Sequence, residues 1–333
     1  MKAYVLNKYG KNEQLKLSEV KIPELGAHDV MVEIHAAGLN VLDSKIKAGK
    51  FKLILPYKVP LILGHDVAGV VKGIGTKVNR FKVGDEVYSR PSDFRIGAFA
   101  EFIAIHEEDL AHKPKNLTMD EAASIPLVGL TVWQAMVEMA QLKKGQKVFI
   151  QAGSGGVGTI AIQLAKHLGA EVATTASEKS FAMLKGLGAD VLVDYKKEDF
   201  EKILNGYDLV LNSQDSKTLE KSLTVLKPGG KVISISSPPT KAFAVDVKLP
   251  WFMRLASGIL SYGILKKAKK RNVEYSFLYM KPSGKQLNEL TKLIEAGIIL
   301  PVLDKVFPFK GINDAMSYLE SGRAKGKVVV KLK

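Results

Sequence analysis

The chain has 333 residues, of which 46% are hydrophobic and 25% charged, and it carries a formal net charge of +15 and no cysteine. This composition excludes a disordered, collagen-like or low-complexity protein, and the length predicts roughly two domains. The missing cysteines exclude disulfides, iron–sulfur clusters, thiolate zinc sites and a cysteine nucleophile.

The positive charge is compatible with three kinds of partner: nucleic acid, an anionic membrane surface and a polyanionic small molecule. The alternative is that the charge only keeps the protein soluble. Most basic residues are lysine, whereas arginine is preferred for bidentate recognition of bases and phosphates, so we expect no nucleic-acid partner. The N-terminus has no apolar core of signal-peptide length, and no apolar run approaches ~20 residues. We therefore expect a cytoplasmic protein without a membrane partner.

The first part of the chain, residues 1–118, predicts a β-rich fold with many turns. Glycines repeatedly interrupt its short apolar runs, a pattern typical of a barrel or of a sheet with sharp corners. The predicted strands are 30–36, 66–71, 83–88 and 98–103.

From about residue 119, helical and strand-like segments alternate. Helical patterning covers 120–139 and is interrupted at Pro126 and Gly129. The strands predicted after it are 147–152, 171–175, 191–193, 208–211 and 231–235, and the helices between them are 157–168, 181–187 and 216–226. This alternation predicts right-handed βαβ crossovers and a parallel sheet whose strands are buried on both faces.

Residues 249–333 begin with an apolar stretch, 250–265, which a basic stretch, 266–271, follows directly. The chain then returns to a mixture of strands and helices. The elements predicted there are strand 273–280, helix 283–296, strand 302–307, helix 312–320 and strand 327–332.

The most specific chemical signal is the sequence Ala-Gly-Ser-Gly-Gly-Val-Gly at residues 152–158, which follows a predicted strand and opens a predicted helix. Dinucleotide-binding turns occur in this context, because glycines allow the tight turn and the close approach of a pyrophosphate. The N–H groups and the dipole of the helix N-terminus attract the anion. A glycine-rich turn without a ligand is the alternative. The residues predicted to bind a nucleotide are Gly153, Ser154, Gly155, Gly156 and Val157.

The end of the next strand indicates the cofactor subtype. NAD-binding proteins place an Asp or Glu about 20 residues after the glycines, whereas here Ser177 and Lys179 follow the strand. A hydroxyl and an ammonium suit a 2′-phosphate, and Tyr195, after the third strand, is a further donor. Glu178 is the complication, since it can serve as the NAD carboxylate displaced by one residue. We predict NADP(H) rather than NAD(H).

Three more candidate cofactor contacts lie at the ends of later strands. Open α/β sheets bind their ligands outside the carboxyl ends of the strands. The residues predicted on this ground are Asn212, Ser236 and Leu278.

Over essentially its whole length the chain resembles the zinc-free medium-chain dehydrogenase/reductases of the quinone oxidoreductase and enone (alkenal) reductase group. Several motifs in the expected order carry this resemblance. They are GLNVLDSK at 38–45, GHDVAG at 64–69, VGDEV at 83–87, PLVGLT at 126–131, the glycine turn, and GKVVV at 326–330.

The resemblance implies an α/β protein with a GroES-like, partly β-barrel catalytic domain and a Rossmann cofactor domain with a doubly wound parallel sheet. It implies a catalytic domain at 1–120, an NADPH-binding domain at 121–270, and a segment 271–333 that adds the last cofactor-domain strand and then returns to the catalytic domain. It also implies an active site in a cleft, a homodimer, and a position for Thr131 beside the nicotinamide and diphosphate.

Zinc-dependent relatives hold their catalytic metal with Cys, His and a third Cys or acidic ligand. The matching positions here are Asn40, His65 and Leu127, so only the histidine is retained. Catalytic zinc needs about three protein ligands. We therefore expect no metal, and we expect His65 to pack or to form hydrogen bonds.

For a metal-free relative, the resemblance implies NADPH-dependent reduction of a small electrophilic substrate, either a quinone or an α,β-unsaturated carbonyl. Charge that develops on the substrate oxygen requires a hydrogen-bond donor or a cation aimed at it. The candidates are Asn40, Lys45, which matches the Asp-x-Lys pattern of enone reductases, and Tyr57. The alternatives are a surface charge for Lys45 and a packing role for Tyr57.

Two other functions stay open, which are zinc-free reduction or oxidation of ordinary carbonyls and alcohols, and NADPH binding without catalysis. Fold alone does not decide among them. For the segment from Trp251 to Arg271, we favour a contact with the substrate cleft or with an oligomer partner over a membrane contact or a solvated helix.

Overall fold

Both ends of the chain build one folding unit, and the middle of the chain builds another. The computed structural model describes residues 1–236 and 238–333. Unit 1 comprises Met1–Leu130 and Lys281–Lys333, and unit 2 comprises Thr131–Met280. Unit 2 therefore begins later than the expected boundary at 120/121, and residues 271–280 belong to it.

We number the strands and helices in chain order. The strands are β1 (Lys2–Leu6), β2 (Lys16–Glu19), β3 (Asp29–Leu39), β4 (Leu61–Ile62), β5 (Asp66–Ile74), β6 (Glu86–Ser89), β7 (Phe102–His106), β8 (Leu110–His112), β9 (Lys147–Ile150), β10 (Glu171–Ala176), β11 (Val191–Asp194), β12 (Tyr207–Asn212), β13 (Leu226–Ser234), β14 (Glu274–Phe277), β15 (Leu303–Pro308) and β16 (Lys327–Lys331). The helices are α1 (Val41–Lys47), α2 (Met119–Ala123), α3 (Pro126–Trp133), α4 (Gly156–His167), α5 (Phe181–Gly186), α6 (Phe200–Ile203), α7 (Ser216–Ser222), α8 (Lys241–Asp246), α9 (Trp251–Lys270), α10 (Gly284–Glu295) and α11 (Ile312–Glu320).

Unit 1 is built on a seven-stranded sheet in the order β15-β16-β3-β5-β6-β8, with β7 pairing to β3. Its pairs are antiparallel, except that β15 and β16 are parallel. The strands approach very closely at Gly69, where a Cβ would lie 2.0 Å from the carbonyl oxygen of Glu33. A second sheet joins β2, β1 and β4. This architecture confirms the predicted GroES-like domain built from both chain ends.

Two predicted strands of unit 1 begin later than expected. Gly84 has φ +94°, and the amide of Lys82 donates to the carboxylate of Asp85, so a turn occupies the start of the predicted strand 83–88. The amides of Ala98 and Phe99 donate to the carbonyls of residues 64 and 63, which precede β5. The hydrogen-bonded pairing of β3 with β7 starts only at residue 102. Apolar character alone does not reveal these turns.

Unit 2 is built on a six-stranded sheet in the order β11-β10-β9-β12-β13-β14. Every pair in it is parallel. Large apolar side chains of the central strands, such as Phe149, Val210 and Val232, are fully buried. The predicted doubly wound parallel sheet is confirmed, because the strand order reverses on the two sides of β9 as in a Rossmann sheet.

The last strand carries a lysine into the interior of unit 1. Strand β16 pairs antiparallel with the end of β3, which brings Lys327 beside Asn40. Its ammonium lies 2.9 Å from Oδ2 of Asp66 and 2.6 Å from Oδ1 of Asn40. Asn40 Nδ2 donates to the same Asp66 oxygen, and the backbone amide of Leu127 donates to the other. We call these four residues the Lys327 network.

The Lys327 network is dry, with the side chains of Lys327 and Asp66 only 7% and 0% exposed. Two charges removed from water are costly unless they pair and their remaining hydrogen-bonding capacity is used. Here both carboxylate oxygens of Asp66 accept hydrogen bonds. The network therefore fixes four distant chain segments in one arrangement.

Substitution Lys327→Met is expected to reduce the free energy of unfolding by about 3–5 kcal/mol, because it leaves the Asp66 carboxylate buried without its cation. Urea unfolding measures the loss. Adding Asp66→Asn is expected to recover part of it, since the neutral amide needs no counter-ion.

Lys331→Met is the matched control. Lys331 is 56% exposed and lies 3.9 Å from a carboxylate oxygen of Asp120, so its loss is expected to change stability by less than about 1 kcal/mol. Equal effects of the two lysine substitutions would contradict the assigned role of Lys327.

Candidate functional site

The predicted cofactor residues meet at one edge of the unit 2 sheet. All six strands are parallel, so their carboxyl ends lie at the same edge, where open α/β sheets bind ligands. The glycine turn follows β9 at this edge. The other predicted residues that end or follow strands there are Ser177, Tyr195, Asn212, Ser236 and Leu278.

The glycine turn between β9 and α4 admits no side chain at two positions. A Cβ at Gly153 would lie 2.2 Å from Oγ1 of Thr174 on the neighbouring strand, and a Cβ at Gly158 would lie 2.6 Å from the Cα of Gly153. By contrast, a Cβ at Gly155 would meet only a carbonyl oxygen at 3.4 Å. The turn thus packs tightly against the sheet and stays open on its other side, around Gly155.

The N-terminus of α4 offers backbone donors to an anion. Its N-cap is Gly155, which supplies no side-chain cap. The helical ladder starts with the bond from the Thr159 amide to the Gly155 carbonyl, so the amides of Gly156, Val157 and Gly158 precede it. An uncapped first turn behind a glycine cradle fits the pyrophosphate of a dinucleotide.

The strand ends next to this turn carry the groups predicted for the 2′-phosphate. Strands β10 and β11 pair Ala176 with Asp194, which places Ser177 and Tyr195 at the next step of the same register. Lys179 follows in a 3₁₀ turn and is exposed. Ser177 and Tyr195 thus follow neighbouring strands at the same edge of the sheet, and Lys179 lies two residues after Ser177.

Glu178, the alternative ribose ligand, forms an ion pair with Lys197 at 2.6 Å. Its hydrogen bond and charge raise the pKa of Lys197. The carboxylate needed for a 2′-hydroxyl is therefore already paired with an ammonium.

Asn212, predicted as a cofactor contact, forms its side-chain hydrogen bonds with other residues of unit 2. It is fully buried, its Nδ2 donates to Oε1 of Gln151 at 2.7 Å, and its Oδ1 accepts from Ser234 at 2.7 Å and from Ser236 at 3.3 Å. The side chain thus braces three strand ends. Sequence reasoning missed Gln151, although a polar residue directly after a buried apolar strand is a recognisable signal.

The remaining two predicted contacts are largely buried. Leu278 is 8% exposed, and its amide donates to the carbonyl of Ser234. Thr131 is buried in α3, which continues into a π-helical segment, Gln134–Met139. Irregular helical turns of this kind are frequent at functional sites.

In unit 1, helix α1 begins at the predicted catalytic position. Asp43 on this helix is fully buried and accepts hydrogen bonds from the amides of Asn40 and Gly64 and from Nδ1 of His65, at 2.6 Å for the last. Asp43 is therefore a structural acceptor that orients His65. The other ring nitrogen, Nε2, is buried and has no hydrogen-bond partner within the described residues.

The three positions that would hold zinc in related enzymes do not fit that metal here. Asn40 is bonded to Asp66 and to the ammonium of Lys327, a cation that repels a second cation. Leu127 offers an apolar side chain, so His65 is the one zinc-type ligand in the set. No group of three His, Cys, Asp or Glu side chains suited to a metal occurs in residues 1–236 and 238–333.

Asn40 and Tyr57 also differ from the expectation of free donors. The side chain of Asn40 belongs to the Lys327 network. The hydroxyl of Tyr57 donates to the carbonyl of Asp93 at 2.6 Å, and burial raises its pKa. The side-chain donors of both residues are therefore already used within unit 1.

Lys45 is different, because its ammonium has no carboxylate or hydrogen-bond partner in the part of the chain that the structure describes. The residue lies on α1 and is half-buried. Burial, and secondly the charge of Lys50, lower the pKa of Lys45. A partly dehydrated and uncompensated cation can stabilise negative charge on an oxygen and can release a proton.

Comparisons with known proteins agree with this architecture. Residues 26–115 match the model of the alcohol dehydrogenase GroES-like domain, and residues 187–330 match that of the zinc-binding dehydrogenases. The chain is 35% identical to the NAD(P)H oxidoreductase RTN4IP1, mitochondrial, of Danio rerio, covering 100% of this chain and 91% of that protein. It is 35% identical to the chloroplastic NADPH-dependent alkenal/one oxidoreductase of Arabidopsis thaliana, covering 99% and 79%.

Among solved structures, the quinone oxidoreductase from Coxiella burnetii superposes with a TM-score of 0.87 at 30% identity, covering 100% of this chain and 99% of that one. The sequence comparisons and the structural comparison therefore indicate the same family and the same fold. The chain belongs to the zinc-free quinone and enone oxidoreductases of the medium-chain dehydrogenase/reductase superfamily.

Proposed function

We propose that this protein uses NADPH to reduce quinones or α,β-unsaturated carbonyl compounds without a metal. The observation that carries the proposal is the half-buried, uncompensated ammonium of Lys45 in a fold whose former zinc position is filled by the Lys327 network. The similarity to an alkenal/one oxidoreductase and to a quinone oxidoreductase supports this substrate class.

Unit 2 supplies the binding site for the cofactor. The first-turn amides of α4 hold the pyrophosphate, and Ser177, Lys179 and Tyr195 surround the 2′-phosphate. When bound, NADPH supplies a hydride from C4 of its nicotinamide ring. The buried bonds of Asn212 to Gln151 and Ser234 keep the strand ends in place beneath the ligand.

Unit 1 supplies the electrophilic group. A hydride added to an electron-poor carbon leaves negative charge on the conjugated carbonyl oxygen of the substrate. The ammonium of Lys45 stabilises that oxygen and is the proton donor of the site. Each substrate molecule gains one hydride and one proton, which gives a saturated carbonyl or a hydroquinone. Asn40 and Asp43 position the helix that carries Lys45.

A substrate panel separates this function from the other two. NADPH oxidation is expected with quinones and alkenals, and not with saturated ketones. A preference for saturated ketones would favour a reductase of ordinary carbonyls. NADPH binding without turnover of any compound would favour a non-catalytic binding protein.

The cellular location and the oligomeric state are a separate part of the proposal. No helix among the described residues is long and apolar enough to cross a membrane. The two oxidoreductases from Danio rerio and Arabidopsis thaliana are mitochondrial and chloroplastic, respectively. We keep the proposal of a cytoplasmic homodimer. Cell fractionation and light scattering of the purified chain test its two parts.

Lys45→Met is expected to lower kcat by about a hundredfold, the scale of one general acid, and to leave the Kd for NADPH unchanged. Steady-state kinetics and a cofactor titration measure the two quantities. Lys52→Met is the control, because Lys52 is exposed and lies over the ring of Tyr9. Unchanged kcat in Lys45→Met would refute the role of Lys45.

The pH profile gives an independent test of Lys45. A proton donor works below its pKa, so activity is expected to fall as pH rises through the lowered pKa of Lys45. Because the charge of Lys50 contributes to this lowering, Lys50→Met is expected to move the basic limb of kcat to higher pH. A basic limb that does not move would assign it to another group.

Replacing both Ser177 and Lys179 by Ala is expected to raise the KM for NADPH at least about tenfold, the scale of one charge-assisted hydrogen bond, and to leave the KM for NADH nearly unchanged. Lys185→Ala on α5 is the control for a general loss of positive charge. Equal changes for the two cofactors would contradict the 2′-phosphate site.

A further inference from the structure

Helix α9 faces the core of unit 2 with small side chains. Ser257 and Ser261 are buried, and the hydroxyl of Ser261 donates to the carbonyl of Ser257 at 2.8 Å. One turn further, Ile264 and Ala268 join the hydrophobic core beside Val232. These four helix residues recur at intervals of three or four, which is the spacing of one helix face.

The opposite side of α9 is strongly apolar and exposed. At 100° per residue, the members of this side fall within about a quarter of the helix circumference, opposite the buried serines. Trp251, Ile259 and Tyr262 are 75%, 70% and 65% exposed. We call the set the apolar face, and it consists of Trp251, Phe252, Leu255, Ile259 and Tyr262.

The same side of the helix ends in a basic cluster. Lys266, Lys269 and Lys270 continue the line of the apolar face and are exposed, and no acidic residue occurs between 251 and 271. Lys267, on the flank, pairs with Glu220 at 2.6 Å. A contiguous exposed apolar surface is typical of an interaction site, and the lysines beside it favour an anionic partner.

We propose that α9 docks unit 2 on an anionic lipid bilayer. The helix has 20 residues and is therefore about 30 Å long. Lying in the plane of the surface, it would bury its aromatic and aliphatic side chains at the headgroup level. Lysine stems follow apolar surface while their ammonium groups remain at the phosphates. Apolar burial and attraction to anionic lipid then act together on one face.

A second copy of the chain is a poorer occupant of the same face. Antiparallel pairing of two α9 helices over their full length would set the apolar half of each against the lysines of the other. Parallel pairing would set Lys266, Lys269 and Lys270 against their own copies. An anionic bilayer satisfies the apolar half and the basic half at once.

Sedimentation of the full chain with vesicles tests the proposal. Vesicles of phosphatidylcholine alone are compared with vesicles that contain about 30% phosphatidylserine. We expect binding to the second kind, weakening as salt is raised, together with a blue shift of fluorescence that Trp251→Phe removes.

Two variants separate the contributions of the face. Changing Lys266, Lys269 and Lys270 to Gln is expected to weaken binding on the order of a hundredfold, since each cation near the surface contributes about fivefold. Changing Leu255 and Ile259 to Ser is expected to weaken it at least about tenfold. Both variants should keep wild-type turnover of a soluble quinone.

Matched controls use exposed residues elsewhere on the chain. One control changes Lys21, Lys143 and Lys185 to Gln, and the other changes Leu17 and Val83 to Ser. Controls that bind like wild type support the proposal. Controls that weaken binding as much as the α9 variants would overturn it, since binding would then depend on general charge or general apolar surface and not on α9.

Two further outcomes would also overturn the proposal. One is a wild-type chain that stays in solution with both kinds of vesicle at low salt. The other is a wild-type oligomer, seen by light scattering, that the Leu255/Ile259 variant converts to monomer without any lipid binding in either form. The second outcome would assign the face to a contact between copies.

Discussion

The ammonium of Lys327, held between Asp66 and Asn40, is the contact on which the candidate catalytic region depends. It joins the last strand to the start of α1 and to β5, and it contacts Asn40, which the resemblance to zinc-dependent relatives matches to a ligand position. A second cation of the region, Lys45, has no such partner among the described residues. The compensated lysine fixes the structure, and the uncompensated one is the lysine for which we propose a role in catalysis. Lys327 and Lys45 are the same residue type, so the difference between their roles comes from their surroundings.

Much of the fold, and the position of the candidate cofactor residues at one edge of the unit 2 sheet, could be predicted because the signals are local. The glycine turn needs only its neighbouring strand and helix to be recognised, and the structure shows why Gly153 and Gly158 admit no Cβ. The strand ends that carry Ser177 and Tyr195 follow from the parallel sheet, because adjacent strands in register end at the same edge.

The partners of the candidate catalytic residues could not be predicted, because they come from distant parts of the chain. No local pattern reveals that the ammonium of Lys327 donates to Oδ1 of Asn40, or that the hydroxyl of Tyr57 donates to the carbonyl of Asp93. The orientation of α9 was equally hidden, since apolar side chains usually face inward. Its buried face instead contains hydroxyls such as that of Ser261, which bonds within its own helix.

The pairing of Asp66 with Lys327 spans 261 residues of sequence. A ribosome adds roughly 5–20 residues per second, so a nascent chain carries the carboxylate for about 10–50 s before its cation is made. Unit 2 is continuous in sequence, so all of its residues can be synthesised during that interval. Strand β3, by contrast, can pair with β16 only after the end of the chain has been made. Synthesis therefore completes unit 2 before the strand pairing and the ion pair that close unit 1 can form.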